Sequence, residues 1–149
     1  MNSVDISVQG VKMPAWCQAV EKFVQSVLNE IDKDSWNVSI LFCSADFMRQ
    51  MNKMYRGKDE STDVLSFAQG DDAADVDGIF YAGDILISLE NLAENAQRFS
   101  VTQNEELQRL LIHGILHLAG MDHQTNEPSE AMLIKQEEIL KDIFCTLIA

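Results

Sequence analysis

The segment HGILHLAGMDH, residues 113–123, constrains this chain more than any other. It holds all three histidines of the protein, His113, His117 and His123. The first two are four apart, so on a helix they share one face. Gly120 follows three residues later, and glycine ends a helix without a Cβ penalty. A turn there returns His123 over the first two, and three imidazoles converge. Three protein ligands are the mark of catalytic zinc, which keeps a position for water and lowers that water's pKa towards 7.

The same spacing occurs in the metzincin proteases, H-E-x-x-H-x-x-G-x-x-H. There the glutamate after the first histidine is the general base. Here that residue is Gly114, which cannot accept a proton. The metal frame of that motif is present and its peptide-cleaving base is missing.

At 149 residues, the chain reads as one domain spanning 1–149. No low-complexity tract divides it. The segment MNSVDISVQGVKMP lacks a basic region ahead of an apolar core, so it does not read as a signal peptide. No apolar run approaches the ~20 residues of a membrane span, and no membrane contact is expected. Cys17, Cys43 and Cys145 are odd in number and widely separated, and read as reduced core thiols. The net charge of −13 is unusual for a nucleic-acid partner, which normally leaves a basic footprint.

Residues 4–9 alternate strictly, as a strand with one wet face does. Residues 15–31 place Trp16, Val20, Phe23, Val24, Val27, Leu28 and Ile31 on one helical face. Residues 36–43 alternate again. Ser44 or Asp46 then caps a helix to about Tyr55, with Phe47, Met48, Met51, Met54 and Tyr55 as its apolar positions. Residues 63–67 and 79–88 read as strands joined by an exposed acidic hairpin loop, 69–78. Helices follow over 89–99, from the capping box Thr102–Glu105 to Ala119, and from Glu127–Pro128 onward. The core face of that last helix comprises Met132, Leu133, Ile139, Leu140, Ile143, Phe144 and Leu147. From Leu110 to Ala119 the histidine helix is apolar nearly all round, so it is buried. The order βαβαββααα predicts an α+β fold: a single mixed four-stranded sheet packed with about five helices, the zinc helix against it.

The second helix departs from the acidic rule. Arg49, Lys53 and Arg56 share one face, and Lys58 follows. Four of the eleven basic residues thus fall within ten positions that hold no acid, a local footprint for a phosphate backbone.

The combination of YRGKDESTDVLSF (55–67), GDILIS (83–88) and HGILHLAGMDH resembles the YbeY family of bacterial rRNA maturation factors, in order along nearly the whole chain. The resemblance implies a single-strand-specific, metal-dependent endoribonuclease of the bacterial cytoplasm. It would act in 16S rRNA 3′-end maturation and 70S ribosome quality control, with ribosomal RNA and the ribosome or its small-subunit proteins as partners, and no DNA. Carried over by position, His113, His117 and His123 hold one zinc ion and Arg56 meets the RNA phosphate. Ser61 and Ala68 stand where many members have proline, and Ala119 and Met121 replace bulkier residues.

Metal plus arginine is a minimal set for phosphodiester hydrolysis, since one polarises and the other holds charge. Arg49, Lys53 and Lys58 are candidate substrate contacts. Asp63, Asp84 and Asp122 are candidate proton carriers, or structural caps of the kind acids form beside turns. Nickel and copper suit imidazole as zinc does. Two other readings stay open: a different metallohydrolase, protease-like or acting on small molecules, and a non-catalytic ribosome-assembly factor with a structural metal.

Overall fold

The computed structural model of the chain describes residues 1–69, 78–123, 125–127 and 129–149. The elements run β1 (Ser3–Gln9), α1 (Cys17–Glu30), β2 (Trp36–Cys43), α2 (Ala45–Arg56), β3 (Val64–Ala68), β4 (Phe80–Ser88), α3 (Leu89–Arg98), α4 (Gln103–Leu118) and α5 (Ala131–Ile143). Most of the expected acidic hairpin loop, residues 70–77, lies outside the described residues. The strands form one sheet in the order β1-β2-β4-β3, with β1–β2 and β2–β4 parallel and β3–β4 antiparallel. The expected mixed four-stranded α+β architecture with five helices is therefore present.

The alternation of β2 sorts the sheet's two faces. Val38, Ile40 and Phe42 are fully buried on one face, with Ile85 and Ile87 of β4 beside them. The helical stripe Val20, Phe23, Val24, Val27 and Leu28 of α1 joins the same core, as do Leu107, Leu111, Ile112 and Ile115 of α4. Each such side chain taken out of water contributes about 1.5–3 kcal/mol. Trp16 packs edge-on to Phe42, as a core residue. Towards one end of the opposite face, α2 lays Met48 over Cys43, Leu65 and Leu86. Among the described residues, Asp5 and Ser7 of β1 are exposed farther along that face.

Helix α4 lies flat on the sheet because Gly114 has no side chain. A Cβ there would stand 2.9 Å from both Cδ1 and Cγ2 of Ile85. Gly83, at φ +144°, solves the matching problem in β4. A Cβ at that position would fall on the Phe67 carbonyl, and the strand slips register beside it at Asn37/Val38.

Several expectations shift. Helix α5 starts at Ala131, not at Glu127–Pro128, because the chain before it is spent on a turn: Glu130 N–H donates to the Glu127 carbonyl, and Thr125 donates twice to the Glu130 carboxylate. The helix ends at Ile143, so Phe144 is 52% exposed rather than on a core face. Cys145, beyond it, is exposed, and Cys17 is only half-buried; Cys43 alone of the three is a core thiol. Met54 and Tyr55 are also largely exposed rather than core residues. The capping box forms by half. Thr102 Oγ1 accepts from Glu105 N–H, but the Glu105 carboxylate turns to Arg109 instead of back to the cap.

Candidate metal centre

His113 and His117 stand one turn apart near the C-terminal end of α4. The helix closes with Met121 N–H donating to the Leu116 carbonyl and Gly120 N–H to the His117 carbonyl. Gly120 takes φ +93°, a conformation glycine enters freely, and the chain doubles back. Asp122 then fixes the return by accepting from His123 N–H at 2.8 Å. The three rings come within 4.7–5.8 Å of one another, centroid to centroid. One nitrogen from each lies within 4.8 Å of the others.

Hydrogen bonds select which nitrogens face inward. Nδ1 of His113 meets Gln136 Oε1 at 2.6 Å, and Nδ1 of His123 meets the Thr125 carbonyl at 2.8 Å. Both partners are oxygens that only accept, so each Nδ1 carries the proton and each Nε2 presents a lone pair. Nε2 of His113 and Nε2 of His117 are 3.1 Å apart. Two nitrogens bound tetrahedrally to one zinc would be about 3.3 Å apart, given bonds of about 2.0–2.1 Å. Donor type, tautomer and spacing thus fit a metal ion held by His113, His117 and His123.

The electrostatics agree. Burial pushes the His113 imidazole below its ordinary pKa, against the hydrogen bond to Gln136. Burial, then the neighbouring His113, does the same to His117. Both rings therefore favour the neutral form that a metal needs.

The histidines open on a cleft of ≈ 860 Å³ between α4, α5 and the free edge of β3. Arg56 lines it, from the last residue of α2. Among the described residues the Arg56 guanidinium pairs with no acid. Its companions in the basic stripe do not reach the cleft: Arg49 is bonded to Asp59 at 2.7 Å, Lys53 lies 3.9 Å from the same carboxylate, and Lys58 points to solvent. Asp63 and Asp122 line the cleft, whereas Asp84 lies on the other face of the sheet. Asp63 is oriented by the Asn95 amide at 2.7 Å and accepts from Val64 N–H.

A polar network behind the histidines was not foreseen from the sequence. Gln136 Nε2 donates to Glu137, and Glu137 receives two hydrogen bonds from Arg109, which also binds Glu105 and Glu106. Burial pushes the Glu106 carboxyl up; at Glu137 burial acts likewise, but the Arg109 hydrogen bonds win and lower it. The signal was there: Gln136 falls four after Met132 and three before Ile139, a polar residue on the apolar stripe of α5. A buried amide must find partners, and these are His113 and Glu137.

The family model described as Endoribonuclease YbeY matches residues 4–144. Two curated relatives carry that same name. One, from Treponema denticola, is 52% identical over 123 residues, covering 81% of this chain and 79% of its own length. The other, from Treponema pallidum, is 48% identical over 142 residues, covering 94% and 89%. The solution structure of TM1509 from Thermotoga maritima superposes with a TM-score of 0.64 at 28% identity, over 92% of this chain and 87% of that one. With a match that runs from the first strand to the end of the last helix, the chain belongs to the Endoribonuclease YbeY family.

Proposed function

We propose that this protein is a single-strand-specific, zinc-dependent endoribonuclease that acts in maturation of the 3′ end of 16S rRNA and in 70S ribosome quality control in the cytoplasm. Its partners would be ribosomal RNA and the ribosome or small-subunit proteins. The observation that carries the reading is one cleft lined by three convergent histidines and by an arginine that pairs with no acid among the described residues, in a chain of this family. No described helix is long and apolar enough to cross a membrane, which accords with it.

His113, His117 and His123 would hold the zinc. When bound, it supplies Lewis acidity at the phosphoryl group and lowers the pKa of the attacking oxygen. The chain's own groups do the rest. Arg56 clamps a non-bridging phosphate oxygen and stabilises the charge developing there. Asp63 and Asp122 are carboxylates at the cleft wall, placed to hold or pass a proton. Water and the ribose 2′-OH are the two candidate nucleophiles, and the product ends separate them: a 2′,3′-cyclic phosphate marks the hydroxyl, a 5′-phosphate with a 3′-OH marks water. An acidic protein can handle RNA in this way because it needs one local cation, not a basic surface.

A protease reading is weakened further by the fold. Position 114, where that motif carries its base, faces Ile85 in the core, with no room for a side chain.

The test is cleavage of a single-stranded rRNA fragment by purified protein, before and after chelation, with zinc restored. Cutting should vanish and return while the circular dichroism spectrum stays constant. Cutting by fully metal-free protein would end the zinc reading. An intact, metal-loaded protein that cuts no RNA, alone or with ribosomes, would favour the assembly-factor reading.

A further inference from the structure

A second cavity, of ≈ 350 Å³, lies beside α2 on the face of the sheet opposite the main core. Tyr55 and Phe67 line it, and both also line the histidine cleft. The two rings pack 5.2 Å apart at 60°, so they form a ridge with the cleft on one side and the smaller cavity on the other. Tyr55 is 60% exposed, which leaves much of its ring free. The floor mixes two chemistries. Leu41, Leu86 and Met51 are apolar, whereas Ser7, Ser39 and Asp84 bring two hydroxyls and a carboxylate. The strand register explains the grouping: Ser39 pairs with Asp84 and Leu41 with Leu86, on one face. Among the described residues, none of the three polar side chains makes a hydrogen bond or ion pair.

We infer that this cavity receives one nucleobase of the single-stranded RNA, next to the phosphate held by Arg56. The inference rests on the ribonuclease reading and deepens it. A polynucleotide crossing from the cleft must pass Tyr55, and an exposed aromatic face beside a phosphate site is what an unstacked base uses. The volume is at the low end of small-molecule sites, about 300–1,000 Å³, which suits one heterocycle rather than a segment of chain. The Asp84 carboxylate repels a phosphate and accepts from an amino group, so the base taken is one with an exocyclic amine, in the sense in which acids read cytosine N4. Tyr55 and Asp84 are thus specificity-determining residues that lie outside the metal centre.

The experiment uses the full chain and short single-stranded oligoribonucleotides, each carrying one abasic position, with affinity read by fluorescence anisotropy and cutting by gel. At one position near the cut, the abasic substitution should weaken wild-type binding about tenfold, within the range of base–aromatic stacking. That penalty should disappear in Tyr55→Ala, survive in Tyr55→Phe, and lose its preference for amino-bearing bases in Asp84→Asn. Circular dichroism verifies that each variant is folded. Wild-type protein that cuts RNA with the same abasic penalties as Tyr55→Ala overturns the inference. So does indifference of RNA binding to both Tyr55→Ala and Asp84→Asn, in which case the cavity serves another occupant, such as a protein strand. Wild-type protein that neither binds nor cuts RNA removes the ribonuclease reading itself, and the inference with it.

Discussion

Gly114→Ala is the perturbation that tests the packing of the histidine helix most directly. Alanine in place of glycine inside a helix should stabilise by about 1 kcal/mol. Against this, the new methyl meets Cδ1 and Cγ2 of Ile85 at 2.9 Å and Cγ1 at 3.1 Å. Overpacking of a core costs about 1–3 kcal/mol. The upper end applies, because Ile85 is fully buried and two of the three contacts are to carbons that cannot swing away. The net expectation is a loss of about 1–2 kcal/mol, or a fall in Tm of about 2–8 °C for a chain of this length. Metal-free protein is the right sample, since bound ligand would add its own stabilisation. Ile85→Ala removes all three offending atoms. It should cost about 2–5 kcal/mol alone and markedly less in the Gly114→Ala background, with a coupling of at least about 1 kcal/mol. An unchanged or raised Tm for Gly114→Ala, or an additive double-mutant cycle, would refute the close-approach argument.

Arg56→Ala should lower the rate of RNA cleavage by about 100–1,000-fold with little effect on stability, because the side chain is exposed and pairs with no acid among the described residues; Arg56→Lys should recover part of that loss in single-turnover kinetics. Gln136→Leu should weaken zinc binding by about 10–100-fold in a competition titration, since the acceptor that orients His113 is gone; an unaltered affinity would count against that hydrogen bond. Burial pushes the Cys43 thiol up to about 11 from 9.0, so between those values the unfolded chain releases the proton first. Stability from this group is therefore complete below pH 9 and declines by about 2 kcal/mol as pH rises towards 11. The difference between wild type and Cys43→Ala in urea unfolding should narrow by that amount over this window.

The histidine frame was legible in the chain because its geometry is local. An i, i+4 pair and a glycine three residues on need only a helix and a turn to converge, and both are set by nearest neighbours along the backbone. The strand and helix order was legible for the same reason: the alternation in 36–43 and the 3.6-residue stripe in 15–31 report which faces are buried. Element ends were less so. Whether the last helix begins at Glu127 or Ala131 depends on where the Thr125 and Glu130 side chains find partners.

Tertiary structure decided everything that depends on groups distant in sequence. Helical spacing leaves the four cations Arg49, Lys53, Arg56 and Lys58 equivalent, and only the family resemblance singles out Arg56. The fold separates them physically, by giving Arg49 and Lys53 to Asp59 and placing Arg56, at the end of α2, in the wall of the cleft that His113 also lines, 57 positions away in the chain. Gln136 reads only as a polar residue on an apolar stripe until α5 packs on α4 and sets it against the His113 ring. The cause of Gly114 was likewise invisible: the sequence shows that a base is missing, and the contact with Ile85 shows why a side chain is. Periodicity carries which face a residue takes, since that is a property of one element. It carries nothing of which other element will be met there, since that is settled by how all the faces are buried at once.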